Sequence, residues 1–488
     1  MPSNSQPKVA IAGGGLAGLA AACALADTGF RVTLFEKRPF LGGRASSYEH
    51  PGTGEVVDNC QHVLFRLCTN LIEFYERIGV ASQIRWFDQM NFIEPGGRTS
   101  IMKSSFLPAP LHTAPSFWNF SFLSTADKFS ISRALMPLTL TPQRDSGESF
   151  QQWLDRHGQS RTAVQRFWYP ILVSALSEEL DRISIPAAAQ VIRESMKSHG
   201  ARQMGVPMIP LTDLYNAAGD YLQKRGGVLY FRQPVEGFDA TAAQVKLCLR
   251  SENAGAALLG SSAKSEDLPG QQDEVYDYLV LALPFDALER ILPDVPESLS
   301  LREQISHFES SPITGIHLWF DRQISDLEHA VLLDRTIQWM FHKSRLQPIR
   351  TQANATNTGS YIELVVSSSK TLIDKSRSEI VDLALSEVRE FFPAAREATL
   401  VKSTVIKEVN ATYSPRPGIE AHRPSTTTAW PRVFLAGDWT ATGWPATMEG
   451  AVRSGYHAAE AIAHSAGIAN ARFISPELSP TGLMRLFA

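Results

Sequence analysis

Two short runs in this chain carry residue types that hold phosphate and charge. Gly13, Gly15 and Gly18 fill the three glycine places of a G-x-G-x-x-G turn. Before them lies the apolar run Lys8–Ala12, which reads as a buried strand, and after them residues 16–26 read as an Ala-rich helix. In such a turn the first glycine permits the bend, the second lets a pyrophosphate approach the backbone, and the third lets helix and strand pack closely. The helix start at Leu16 and Ala17 offers free N–H groups and a partial positive charge to the phosphates. Residues 31–35 read as the next parallel strand, ended by Glu36 and followed by Lys37. A carboxylate there accepts hydrogen bonds from an adenosine ribose and repels a 2′-phosphate.

The second run lies near the other end of the chain. Residues 433–436 form an apolar strand pattern, Gly437 opens a turn, and Asp438 is placed to bind a pyrophosphate or a sugar-alcohol hydroxyl. Met448 and Glu449 then start a helix whose N-terminus can stabilise negative charge on a bound ring. One domain completed from both ends implies that the substrate-handling segments are threaded through it.

The elements that position these residues set the domain plan. With 488 residues the chain exceeds one ordinary core. The reading is α/β, a Rossmann-like dinucleotide domain (residues 1–85, 206–300 and 415–470) with an interleaved α+β substrate-binding domain (86–205 and 301–414) and a tail at 471–488. Residues 70–78 predict an amphipathic helix stopped by Gly79, residues 211–225 a further helix, and Val235 follows a strand at 228–232. Residues 251–274 are rich in Ala, Ser, Gly and charge and are expected to form a mobile surface loop. A net charge of −4 leaves no basic footprint for nucleic acid. Four scattered cysteines, Cys23, Cys60, Cys68 and Cys248, suit a reducing cytoplasm and show no metal-site spacing. No stretch offers about 18 uninterrupted apolar residues, so a soluble chain, or one on the inner face of a membrane, is expected.

A second glycine turn, Leu41-Gly42-Gly43-Arg44, follows the ribose acid, and with it the chain resembles the FAD enzymes of the amine oxidase and phytoene desaturase superfamily. Within that superfamily, residues 437–455 and 57–64 are similar to the bacterial hydroxysqualene dehydroxylases, a squalene-associated desaturase-like family. Phe167-Trp168-Tyr169-Pro170, Ala175-Leu176, Gln338-Trp339 and Asn410-Ala411-Thr412 add to this resemblance. Two positions depart from it. Cys60 stands where the family commonly has glycine, which implies strain if φ is positive there, and Ser177 replaces a common Asn.

The resemblance implies FAD as cofactor, with Gly43 and Arg44 beside its pyrophosphate. It also implies a long-chain isoprenoid substrate and removal of the hydroxyl of hydroxysqualene by a hydride from reduced flavin. That chemistry requires a proton for the departing oxygen, a dry slot, and aromatic faces to stabilise a cation. The expected proton donor is His62, kept protonated by Asp58; the alternative is that both merely hold their loop. Trp168, Tyr169, Trp339 and above all Trp444 are expected to line the slot, or else to be core. Residues 106–140, rich in Phe, Trp and Pro, are expected either to meet a membrane surface or to be buried helices. Competing readings are a carotenoid-type desaturase running electrons the opposite way, an amine or protoporphyrinogen oxidase, and a non-catalytic prenyl-binding escort protein.

Overall fold

The computed structural model describes residues 6–249, 275–347 and 359–487. The segment 251–274, expected to be a mobile loop, lies outside the described residues. Strand β1 (Lys8–Ala12) pairs in parallel with β2 (Arg31–Glu36) on one side and with Tyr278–Leu281 on the other. Val228–Phe231 and Val433–Leu435 complete a five-stranded, all-parallel sheet. Its strands are short and mostly apolar in their interiors because both faces are covered, as parallel sheets require.

One cover is α1 (Leu16–Asp27), whose residues Leu16 to Leu25 are buried all round. Its alanines are explained by the helix Met448–Ser465, which packs so tightly that a Cβ on Gly455 would fall 2.2 Å from the Ala17 carbonyl oxygen. The helix α2 (Thr69–Arg77) joins this layer through Leu71, Phe74 and Tyr75. The helix expected at 211–225 spans Leu211–Gln223.

A second sheet of seven strands forms the other half. Its order is Leu400–Tyr413, Ser310–Phe320, Tyr361–Ser367, Trp339–His342, His329–Leu332, Gln89–Ile93 and Thr99–Lys103. Neighbours run antiparallel except where His329–Leu332 meets Gln89–Ile93 in parallel. The helices between residues 114 and 196 bury an aromatic core against one face of this half. The tail, from which the sequence promised nothing, packs Ala471, Phe473 and Ile474 on the parallel-sheet core and ends in a 3₁₀ turn at Gly482–Phe487. No helix among the described residues is long and apolar enough to cross a membrane.

Candidate active site

The glycine turn is shaped by backbone contact. Gly13 has a φ of 110°, and a Cβ there would meet the Ala282 carbonyl oxygen at 2.4 Å. A Cβ on Gly18 would lie 2.0 Å from the Gly13 oxygen, so Gly18 serves packing and does not line the cavity. Gly15 differs: its Cβ would meet only Gly43 Cα, at 3.9 Å, and otherwise points into open space. Because Gly15 offers no side-chain cap to α1, the first N–H groups at Leu16 and Ala17 stay free for a ligand. Glu36 braces the turn from below, its Oε2 accepting from Gly14 N (2.7 Å) and its Oε1 from Arg38 N (2.7 Å).

A cavity of about 930 Å³ extends from this turn into the second half, within the roughly 300–1,000 Å³ of small-molecule sites. Gly13, Gly15, Leu16, Ala17, Glu36, Lys37, Gly43, Arg44, Val235, Gly437, Asp438, Met448 and Glu449 line its nucleotide end. Arg44 forms an ion pair with Asp438 and donates to the Ala411 carbonyl at 2.8 Å, joining both ends of the chain across the cavity. Glu449 spends its carboxylate elsewhere: it accepts from Asn70 Nδ2 and Leu71 N, both at 2.8 Å, and so caps α2. Arg423 gathers the carbonyls of Asp438, Thr440 and Trp444 and fixes the turn before the last helix. Its role was not read from the sequence, where a lone arginine gives no signal.

The far end of the cavity is apolar. Phe92, Phe117, Phe167, Trp339, Phe341 and Trp444 line it. Trp339 donates to Ser174 Oγ at 2.8 Å, and Trp444 lies under the guanidinium of Arg453, 5.2 Å from the ring centre. Of the two roles expected for Trp168 and Tyr169, both take core packing: Trp168 is fully buried with its N–H on Gln159, Tyr169 reaches Glu179, and neither lines the cavity. Both sit on the turn of helix facing away from the slot. Leu111, Trp118 and Met136 line the cavity and are also exposed, which marks its opening.

The His62–Asp58 pairing is also corrected. His62 lines the cavity, but its Nδ1 is 2.8 Å from the Cys60 carbonyl oxygen, and burial lowers its pKa below the usual histidine value. A carbonyl only accepts, so Nδ1 carries the proton and the neutral ring keeps its lone pair on Nε2. Asp58 lies behind the wall, 2.6 Å from Lys343 Nζ, and accepts from Ser47 Oγ at 2.5 Å and Leu211 N at 3.2 Å. Lys343 Nζ also donates to Gln61 Oε1 at 2.9 Å and lies 3.3 Å from Glu363 Oε2. All three charged side chains are at most 1% exposed. Burial raises the Glu363 pKa to about 7, against the pull of Lys343. This network was not legible in the sequence, because Asp58 and Lys343 are 285 residues apart.

The two departures from the family pattern resolve differently. Cys60 is absent from the residues with positive φ and is buried against the sheet at Gly315, whose missing side chain leaves room for Asn59 and Cys60. Ser177 does adopt a left-handed conformation, φ 51°, which Asn tolerates well and Ser less so; its Oγ accepts from Ser368 N at 3.3 Å. Away from the cavity, ligand atoms of Glu303, His307 and His422 lie within 4.8 Å of one another at the surface, a grouping that chain spacing conceals.

A profile of flavin-containing amine oxidoreductases matches residues 16–463. The chain belongs to that family. Its cofactor is FAD, and the cradle fits it: Gly13 and Gly43 sit in close backbone contact, and Gly15 leaves open the space a Cβ would otherwise fill. The chain is 26% identical to the 15-cis-phytoene desaturase of Synechococcus elongatus over 478 residues, covering 93% of this chain and 95% of that one. It is also 26% identical to a probable zeta-carotene desaturase of the same organism, covering 95% of this chain and all of the relative. Among solved structures, putrescine oxidase bound to putrescine superposes with a TM-score of 0.69 at 16% identity, covering 94% of this chain and 99% of that one. A putative protoporphyrinogen oxidase from Exiguobacterium superposes with 0.64, also at 16% identity, covering 95% and 99%. At that identity the likeness concerns the fold.

Proposed function

We propose that this FAD-dependent oxidoreductase acts on a long-chain linear isoprenoid. The observation that carries the reading is the apolar, aromatic-walled cavity that runs from the flavin cradle to exposed Leu111, Trp118 and Met136. The desaturase relatives support the same substrate class. When bound, FAD supplies a two-electron carrier that exchanges a hydride at its isoalloxazine ring. Leu16, Ala17 and Gly43 would hold its pyrophosphate, Glu36 its ribose, Asp438 and Arg44 its ribityl chain, and the helix start at Met448 its ring.

Desaturation is the better supported direction. It removes a hydride and a proton from adjacent carbons and leaves a C=C bond. His62 Nε2, unprotonated while Nδ1 donates to the Cys60 carbonyl, accepts that proton. The aromatic wall excludes water from the carbon that develops positive charge.

A second reading, dehydroxylation of hydroxysqualene to squalene, is favoured by the resemblance of residues 437–455 and 57–64. It needs His62 as an imidazolium that protonates the leaving oxygen, and burial opposes that form. Anaerobic mixing separates the two. Oxidised enzyme bleached by phytoene, with a longer polyene formed, supports desaturation; photoreduced enzyme reoxidised by hydroxysqualene, with squalene formed, supports the second reading. Silence in both arms removes the isoprenoid proposal.

We further propose that the opening faces a membrane on its cytoplasmic side. Phe106 is 93% exposed, and Phe129 packs edge-on against Trp118 with ring centres 5.0 Å apart. Sedimentation with liposomes tests this, and full recovery of active enzyme in the supernatant contradicts it.

A further inference from the structure

Arg202 brings a positive charge into the wall of the apolar cavity, and among the described residues it has no counter-ion. It ends the 3₁₀ turn Gly200–Arg202 and lines the cavity together with Met102 and Thr113. Among the described residues it forms no ion pair, and its guanidinium rests on the thioether of Met102. Burial lowers its pKa to about 10, which leaves it a cation at neutral pH. Asp88 lines a small hollow on the other side of Arg202, but its carboxylate accepts from Gln203 Nε2.

The surroundings sharpen this. His112 is fully buried, neither of its ring nitrogens has a hydrogen-bond partner, and its ring lies 5.0 Å from that of His199. Burial first, then the charges of Arg202 and His199, hold His112 neutral with a pKa of about 4. Leu111 and Thr113, its chain neighbours, line the cavity, so this polar group stands beside the apolar opening. Arg202 is itself partly exposed, and a charge with no ion pair among the described residues, standing beside the orphaned ring of buried His112, is what a site left for a ligand to complete would show.

We propose that Arg202 is an anion subsite of the cavity, binding the phosphate group of an amphiphile whose apolar chain lies among Phe117, Trp118 and Trp339. Guanidinium forks take phosphate oxygens in pairs, with geometry that a lysine cannot copy. The phosphate belongs either to a prenyl diphosphate inside the cavity or to a phospholipid headgroup at its opening. The inference rests on the reading of the cavity as an isoprenoid slot.

The test uses the full-length, FAD-loaded protein. Its affinities for geranylgeranyl diphosphate and for geranylgeraniol are compared, and so is its sedimentation with vesicles of phosphatidylglycerol and of phosphate-free digalactosyl diacylglycerol. The wild type is expected to prefer the phosphate-bearing partner in one arm by at least about tenfold. The arm that shows the preference names the source. Arg202→Gln is expected to bring that ratio close to one, and Arg202→Lys, which keeps the charge and protects the fold, to reduce it several-fold. Visible flavin absorbance and melting temperature confirm that each variant is folded. Equal ratios in wild type and both variants overturn the subsite. Failure of geranylgeraniol to bind while the phosphate preference persists overturns the isoprenoid slot and leaves the subsite standing.

Discussion

The flavin cradle and the substrate wall both keep a ligand from water, yet they are made of opposite materials. In the cradle the shape comes from backbone atoms in near contact: Gly13 against Ala282, Gly18 against Gly13, Gly43 against Gly15. In the wall it comes from side chains, with Phe92, Phe167 and Trp339 in front and the Asp58–Lys343–Glu363 charges sealed behind. A backbone-built site tolerates almost no added atom, whereas a side-chain-built site tolerates exchange in front and punishes imbalance behind.

Five substitutions probe that contrast. Gly18→Val should have the largest effect, because its Cβ would lie 2.0 Å from a backbone oxygen that cannot yield; we expect loss of bound flavin, read from visible absorbance, and a destabilisation of about 3 kcal/mol or more. Lys343→Met leaves two carboxylates buried without a cation and should cost about 3–5 kcal/mol in chemical denaturation.

The same network predicts a pH dependence. Glu363 titrates near 4.5 when unfolded and near 7 when folded. Its preference for the neutral form therefore stabilises the fold fully below the lower value and is lost as pH rises through the upper one. Glu363→Gln should flatten that decline, on the order of 3 kcal/mol, in denaturation curves taken at about pH 5 and about pH 8.

His62→Gln should retain flavin and fold but slow turnover by about 10²–10⁴, and the wild-type rate should rise with pH through a midpoint below the usual histidine pKa. Near-wild-type turnover in this variant would remove His62 from the chemistry. Phe106→Ser should change stability by less than about 0.5 kcal/mol and lower vesicle binding a few-fold. If it halved the melting cooperativity instead, the exposed face would be part of the core.

The same contrast decides what could be read in advance. Gly13, Gly15, Gly18 and Glu36 were legible because only certain residues meet the backbone demands of that turn. The parallel strands followed from their short apolar runs. Trp168 and Trp339 have the same chemistry in sequence, and only the fold separates a core residue from a lining one. Asp58 looked like a partner for His62 because a carboxylate beside an imidazole favours the protonated ring; its partner, Lys343, comes from across the molecule. Arg202 left no trace in the sequence, since an unpaired charge is defined by what does not surround it.

The strand Val433–Leu435 and the helix Met448–Ser465 close one flank of the parallel sheet and cover α1. During synthesis on the ribosome, the earlier strands therefore emerge with an alanine-lined helix still bare on one side. A nascent chain halted before residue 433 would be a client for chaperones rather than a weak flavoprotein, and cofactor capture would come as the final step of its biogenesis.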